Sequence, residues 1–109
     1  MDVVVRMTAC LLTLLLSCAN VYSGCKGNCQ DGYLSVCVQR GGECSCGCVK
    51  DVSAGAVRLG ELLMADGASP TAIERAVQRY RQLAAESTTD FSFQIEDNGR
   101  TFTVFGTVS

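Results

Sequence analysis

Apolar residues return at helical spacing through the second half of the chain. Val52, Ala56, Leu59 and Leu63 form one stripe, widened by Leu62, and predict an amphipathic helix. Asp51 or Ser53 caps its start, and Asp66-Gly67 stops it, because glycine accepts the left-handed backbone that follows a helix. Gly55 and Gly60 each weaken this helix by up to about 1 kcal/mol relative to alanine. Ala56 and Gly60 leave a small-residue groove suited to a closely packed neighbour. A second helix opens at Ser69-Pro70, an N-cap followed by proline at the first helical position. Ile73, Val77, Tyr80 and Ala84 make its apolar face, with Ala76 and Leu83 beside them. The basic residues Arg75, Arg79 and Arg81 lie mostly opposite and read as a solvated face, with a partner surface as the alternative. The short Gly67-Ala68-Ser69 link predicts an antiparallel helical hairpin.

The period then changes from helical to alternating. Phe91, Phe93 and Ile95 alternate with polar residues, and Asn98-Gly99 is a two-residue hairpin turn signal. Folding about that turn pairs Ile95 with Phe102 and Phe93 with Val104 on one apolar face. Phe105 falls on the opposite face, beside Ser92, as an isolated apolar residue.

At the other end, residues 7–16 are apolar except for two threonines, with Arg6 before them and Ser17, Cys18, Ala19 and Ser23 after. A charged start, a short apolar core and small residues at the cut define a secretory signal peptide. Cleavage after Ala19 or Ser23 fits; residues 1–23 are taken as the removed segment. A membrane anchor is the competing reading, but a spanning helix wants about 20 apolar residues. Leu15-Leu16-Ser17-Cys18 also resembles a bacterial lipobox, which would make the product a lipid-anchored surface protein.

Two of the eight cysteines, Cys10 and Cys18, fall in that segment. Cys25, Cys29, Cys37, Cys44, Cys46 and Cys48 remain, an even set that predicts three disulfides in an exported chain. If the stretch holding Cys44, Cys46 and Cys48 is extended, all three point to one face. Their partners are then Cys25, Cys29 and Cys37, with the choice among the cross pairings open. The same C-x-C-x-C spacing occurs in metal–thiolate clusters; an oxidising route favours disulfides, so neither metal nor cofactor is expected.

Cys25, Cys29, Cys37, Cys44 and Cys46, as C-x3-C, C and C-x-C, resemble the framework of invertebrate defensins and scorpion-type toxins. That resemblance implies a helix under the C-x3-C and a strand under the C-x-C. Cys25-Lys26-Gly27-Asn28-Cys29 with Cys44-Ser45-Cys46 is similar to the C-x-G-x-C and C-x-C of cystine-knot hormones, where glycine leaves clearance for a threading bridge. Gly42-Glu43-Cys44-Ser45-Cys46 is similar to part of an EGF-like module. Each likeness covers only the cysteine-rich stretch.

Together these elements predict a small disulfide-rich α+β fold. A three-disulfide N-terminal lobe spans residues 24–50. A helical hairpin and a C-terminal β-hairpin follow over residues 51–109, packed with the lobe as one mature unit. Net charge is −2 and histidine is absent. The charge excludes a basic nucleic-acid binder, and the missing histidine removes Ser-His-Asp and Cys-His catalysis, so no enzyme is expected. No N-x-S/T sequon is present in the chain.

A dense disulfide framework holds loops in advance and lowers the ordering cost of binding. The expectation is therefore a secreted toxin, effector or hormone-like ligand for an extracellular receptor or channel. Residues 30–43 are its expected contact loop, with Tyr33, Leu34, Arg40 and Glu43 as the binding residues. Tyr33 and Arg40 lead because tyrosine and arginine are enriched in binding hot spots. The alternatives are a protease inhibitor presenting Arg40 or Leu34, and an antimicrobial peptide, which the acidic balance disfavours.

Overall fold

The computed structural model describes residues 25–108; the expected signal segment and lipobox lie outside the described residues. Strands β1 (Leu34–Arg40) and β2 (Glu43–Val49) form a hairpin, and helices α1 (Val52–Ala65) and α2 (Pro70–Glu86) follow. Strands β3 (Phe91–Asp97) and β4 (Arg100–Gly106) close the chain. All four strands join one antiparallel sheet in the order β2-β1-β4-β3. Helix α1 packs on β1 and β2, while α2 packs on β3 and β4.

This architecture builds the cysteine-rich stretch into the common sheet. Residues 30–43 are not one loop: half of them, Leu34–Arg40, are β1, and Arg40 pairs with Glu43 across a two-residue turn at Gly41-Gly42. The β1 residues Val36 and Val38 pair with Gly106 and Val104 of β4, so the cysteine-rich stretch supplies half of the common sheet. Gly-Gly between two alternating runs is itself a hairpin signal. The toxin-type resemblance is half matched: Cys44 and Cys46 lie on a strand, but residues 25–29 are not helical.

The helix signals behave as local chemistry dictates. Asp51, not Ser53, caps α1, accepting from Ala54 N–H at 2.8 Å. Gly67 takes the left-handed conformation at φ 82° beyond its end. Ser69 caps α2, with Pro70 in the first turn. In the last hairpin, Asn98 (φ 53°) and Gly99 (φ 81°) both have positive φ, as a type I′ turn requires. Ile95 faces Phe102 and Phe93 faces Val104 in the expected register.

One sheet face carries the core. Val36, Val38, Ile95, Phe102 and Val104 of the sheet share one buried cluster with Ala56, Leu59 and Leu63 of α1. On α2 the buried centre is Ala72, Ala76 and Tyr80, whereas Ile73 and Val77 flank it half-buried. The stripe is therefore rotated from its sequence-predicted axis. Alanines occupy the closest approach, where side-chain bulk would hold the helix off the sheet. Gly60 lies toward Ile73, and Gly55, rather than Ala56, provides the tightest contact with α2.

Asp97 ties the two halves of this layer together. Its carboxylate accepts from Ser69 N–H and Ser69 Oγ, each at 2.9 Å, and from Arg100 Nη2 at 3.1 Å. Arg100 also donates to the Gly67 carbonyl at 2.8 Å. The Ser69 backbone bond is the leading cause, with the Ser69 hydroxyl next, holding the Asp97 carboxyl below the usual aspartate range.

Candidate functional site

The face of the sheet away from the helices is closed at one end by covalent staples. Cys25 bonds Cys44, Cys29 bonds Cys48, and Cys37 bonds Cys46. Each bridge joins an N-terminal cysteine to one of the alternating set, as side-chain alternation along a strand predicts. Residues 25–29 thus track β2 along its outer side. Gly27 lies close in: a Cβ there would sit 2.8 Å from Ser35 Oγ and 3.2 Å from Cys46 Cβ. Beneath this cover Cys37 and Ser35 are buried, although they point away from the helices.

The sulfurs form a compact group. The Sγ atoms of Cys25, Cys37, Cys44 and Cys46 all lie within 4.8 Å of one another. Cys46 Sγ is 3.8 Å from Cys25 Sγ and 3.7 Å from Cys44 Sγ, contacts between two different bridges. Ser35 Oγ accepts from Gly27 N–H at 3.0 Å and lies 3.4 Å from Cys37 Sγ, which its hydroxyl faces as a donor.

On the helix side, an open groove of 520 Å³ runs between α1 and the end of β2. Tyr33, Lys50, Val57, Arg58 and Glu61 line it, together with the Cys48 end of its bridge. Val57 is 62% exposed, the kind of apolar residue that covers nothing within its own fold. Arg58 pairs with Glu61 at 3.1 Å. Its aliphatic stem lies over Gly47, where a Cβ would come within 2.8 Å of Arg58 Cγ. The groove therefore offers an aromatic ring, an apolar surface and both signs of charge.

A smaller cavity of 160 Å³ opens where the strands end. Phe91, Phe105 and Cys25 line it, and Lys26 and Asp90 pair at 3.5 Å beside it. Phe105 does face away from the core beside Ser92, but it is half-buried there and not freely exposed.

The four sequence-predicted binding residues are split by β1. Tyr33 and Leu34 lie at its beginning, and Arg40 lies at its other end with Glu43 opposite. A seven-residue strand separates those ends by roughly 20 Å. Arg40 and Glu43 face each other across the turn at 3.5 Å. Leu34 pairs with Val49 and is half-buried. Only Tyr33 of the four lines the groove. Lys50, Val57, Arg58 and Glu61 were not singled out from the sequence, although Val57 on the polar side of a helical stripe was a readable signal.

Among the basic residues of α2, Arg75 donates to the Glu96 carbonyl at 3.0 Å and Arg79 bonds Gln82 at 3.2 Å. Among the described residues, no helix is long and apolar enough to cross a membrane. Comparison with known proteins finds no matching family model, curated protein or solved structure.

Proposed function

We propose that this is an exported, disulfide-stabilised binding protein acting as a ligand on an extracellular protein target, a receptor or channel, through the groove between α1 and β2. The supporting observation is the placement of Tyr33. It is half-buried against a groove whose far wall carries Val57 and Arg58, and the Cys29–Cys48 bridge ties that groove to the N-terminal segment. Side chains held this way lose little freedom on association, and tyrosine and arginine are the residue types that dominate binding energies. Three bridges within residues 25–48 also suit an oxidising compartment.

The ligand reading is favoured over the inhibitor reading by the position of Arg40 and Leu34. Both lie within β1, Arg40 beside a two-residue turn, so neither is carried on a projecting extended loop.

The test is saturable binding of the labelled, oxidised protein to intact cells, competed by unlabelled protein. Tyr33→Ala and Arg58→Ala should each weaken binding about tenfold or more, while Arg40→Ala leaves it within about twofold. Absence of saturable binding on a broad panel of cells would remove the ligand reading. Equal losses from Tyr33→Ala and Arg40→Ala would remove the groove as its site.

A further inference from the structure

The two bridges that meet on the outer face of the hairpin have a second use. We propose that Cys25, Cys37, Cys44 and Cys46 form a latent soft-metal site, in which their reduced thiolates take one zinc ion in place of the two disulfides. Tetrahedral zinc–thiolate bonds of about 2.3 Å set neighbouring sulfurs about 3.8 Å apart. The two contacts that Cys46 makes with the other bridge already have that spacing, at 3.7 and 3.8 Å, and all four sulfurs fall within 4.8 Å. The two bonded pairs must open to reach it.

The donor set comes from three separate pieces of chain. Cys25 belongs to the N-terminal segment, Cys37 to β1, and Cys44 and Cys46 to β2. One ion bound to all four joins the same pieces that the two disulfides join. The stapled hairpin would therefore persist under reducing conditions.

The surroundings suit thiolate. Ser35 is buried, and its hydroxyl, which accepts from Gly27 N–H, lies 3.4 Å from Cys37 Sγ, within reach as a donor to a thiolate there. A donor on a ligating sulfur orients it and steadies its charge. Cys25 and Cys37 are buried while Cys44 and Cys46 are exposed, so a reductant and an ion have a way in from one side.

The chemistry balances with a dithiol as reductant. Each S–S bond takes two electrons and two protons from a dithiol, which closes to its own disulfide. The four thiols then release four protons as they bind the divalent ion. Cys29 and Cys48 lie outside this group and remain a pair of free thiols after reduction.

The purified chain, reduced with a dithiol and freed of it without air, would be titrated with cobalt(II) and then zinc(II). The expected result is one cobalt per chain with the visible bands of a tetrahedral thiolate complex, bleached by zinc. Alkylation of the zinc-loaded protein followed by peptide mass analysis should spare Cys25, Cys37, Cys44 and Cys46 and modify Cys29 and Cys48. The Cys29→Ser/Cys48→Ser variant should keep the spectrum, and Cys37→Ser/Cys46→Ser should lose more than about a hundredfold in affinity. Ser35→Ala should cost about tenfold. Octahedral cobalt bands, or alkylation of Cys25, Cys37, Cys44 and Cys46 equal to that of Cys29 and Cys48 with zinc present, would overturn the proposal. The alkylation map uses the unaltered sequence, so it decides the matter even if a cysteine variant fails to fold.

Discussion

The hydroxyl of Tyr80 in α2 occupies the space that a Cβ on Gly55 in α1 would need. The two helices approach at that point, and the ring is fully buried. Among the described residues the hydroxyl has no hydrogen-bond partner. Burial, with Asp51 nearby as a smaller cause, raises the Tyr80 pKa above the usual tyrosine value.

Gly55→Ala should therefore destabilise the protein by about 1–3 kcal/mol through overpacking. Tyr80→Phe should be neutral or stabilising by up to about 1 kcal/mol, because it removes an unpaired buried hydroxyl. The double variant should lose less than the sum of the singles, since the phenyl ring leaves room for part of the new methyl. Urea denaturation of the four proteins measures this; additive losses would show that the contact is not shared.

Stability should also fall in alkali. A phenol with a raised folded pKa contributes fully below the unfolded value, about 10, and progressively less as pH rises through the folded value. Wild type should lose stability across that range more steeply than Tyr80→Phe, as pH-dependent melting temperatures would reveal.

At the acid end the relevant group is Asp97. Its folded pKa is depressed, so its contribution is complete above the unfolded aspartate value, about 3.9. That contribution is lost as pH falls through the folded value. Asp97→Asn should lower stability near neutrality and flatten the acid limb of the melting curve. An acid limb unchanged in the variant would show that the Ser69 and Arg100 bonds do not govern it.

The two helix caps should differ in weight. Asp51→Ala removes one bond to Ala54 and should cost about 1 kcal/mol. Ser69→Ala removes the bond to Ala72 and also a partner of Asp97, and should cost about 1.5–2 kcal/mol. Equal losses in thermal denaturation would mean that Ser69 acts as a cap alone.

Removing the Cys29–Cys48 bridge by a double serine variant should cost about 3 kcal/mol, on loop-closure entropy for a separation of 19 residues. Denaturant unfolding should show that loss with the cooperative transition retained, because β1, β2 and both helices do not depend on this bridge for their core contacts. If unfolding became non-cooperative, the staple would be organising the hairpin as well as constraining the unfolded chain.

Much of this molecule is written locally. The caps at Asp51 and Ser69, the stop at Gly67, the Asn98-Gly99 turn and the Ile95–Phe102 register depend on residues near one another in sequence. Capping, backbone handedness and side-chain alternation operate over a few residues, so they can be read without tertiary information. The cross-pattern of the disulfides was legible for the same reason, since alternation alone put Cys44, Cys46 and Cys48 on one side. The binding surface was less so: Tyr33 reached it, but Arg40 and Glu43 went to the other end of β1.

What the sequence determined by itself is the set of elements, their caps and turns, and the grouping of cysteines that bond across it. What only the tertiary structure decided is the pairing of β1 with β4, which merges the cysteine-rich stretch and the C-terminal hairpin into one sheet. It also chose the individual disulfides, rotated α2 onto Ala72 and Ala76, and brought Tyr33 and Arg58 to one groove. Those outcomes rest on contacts between residues far apart in the chain, whose energies depend on shape and distance after the layers close.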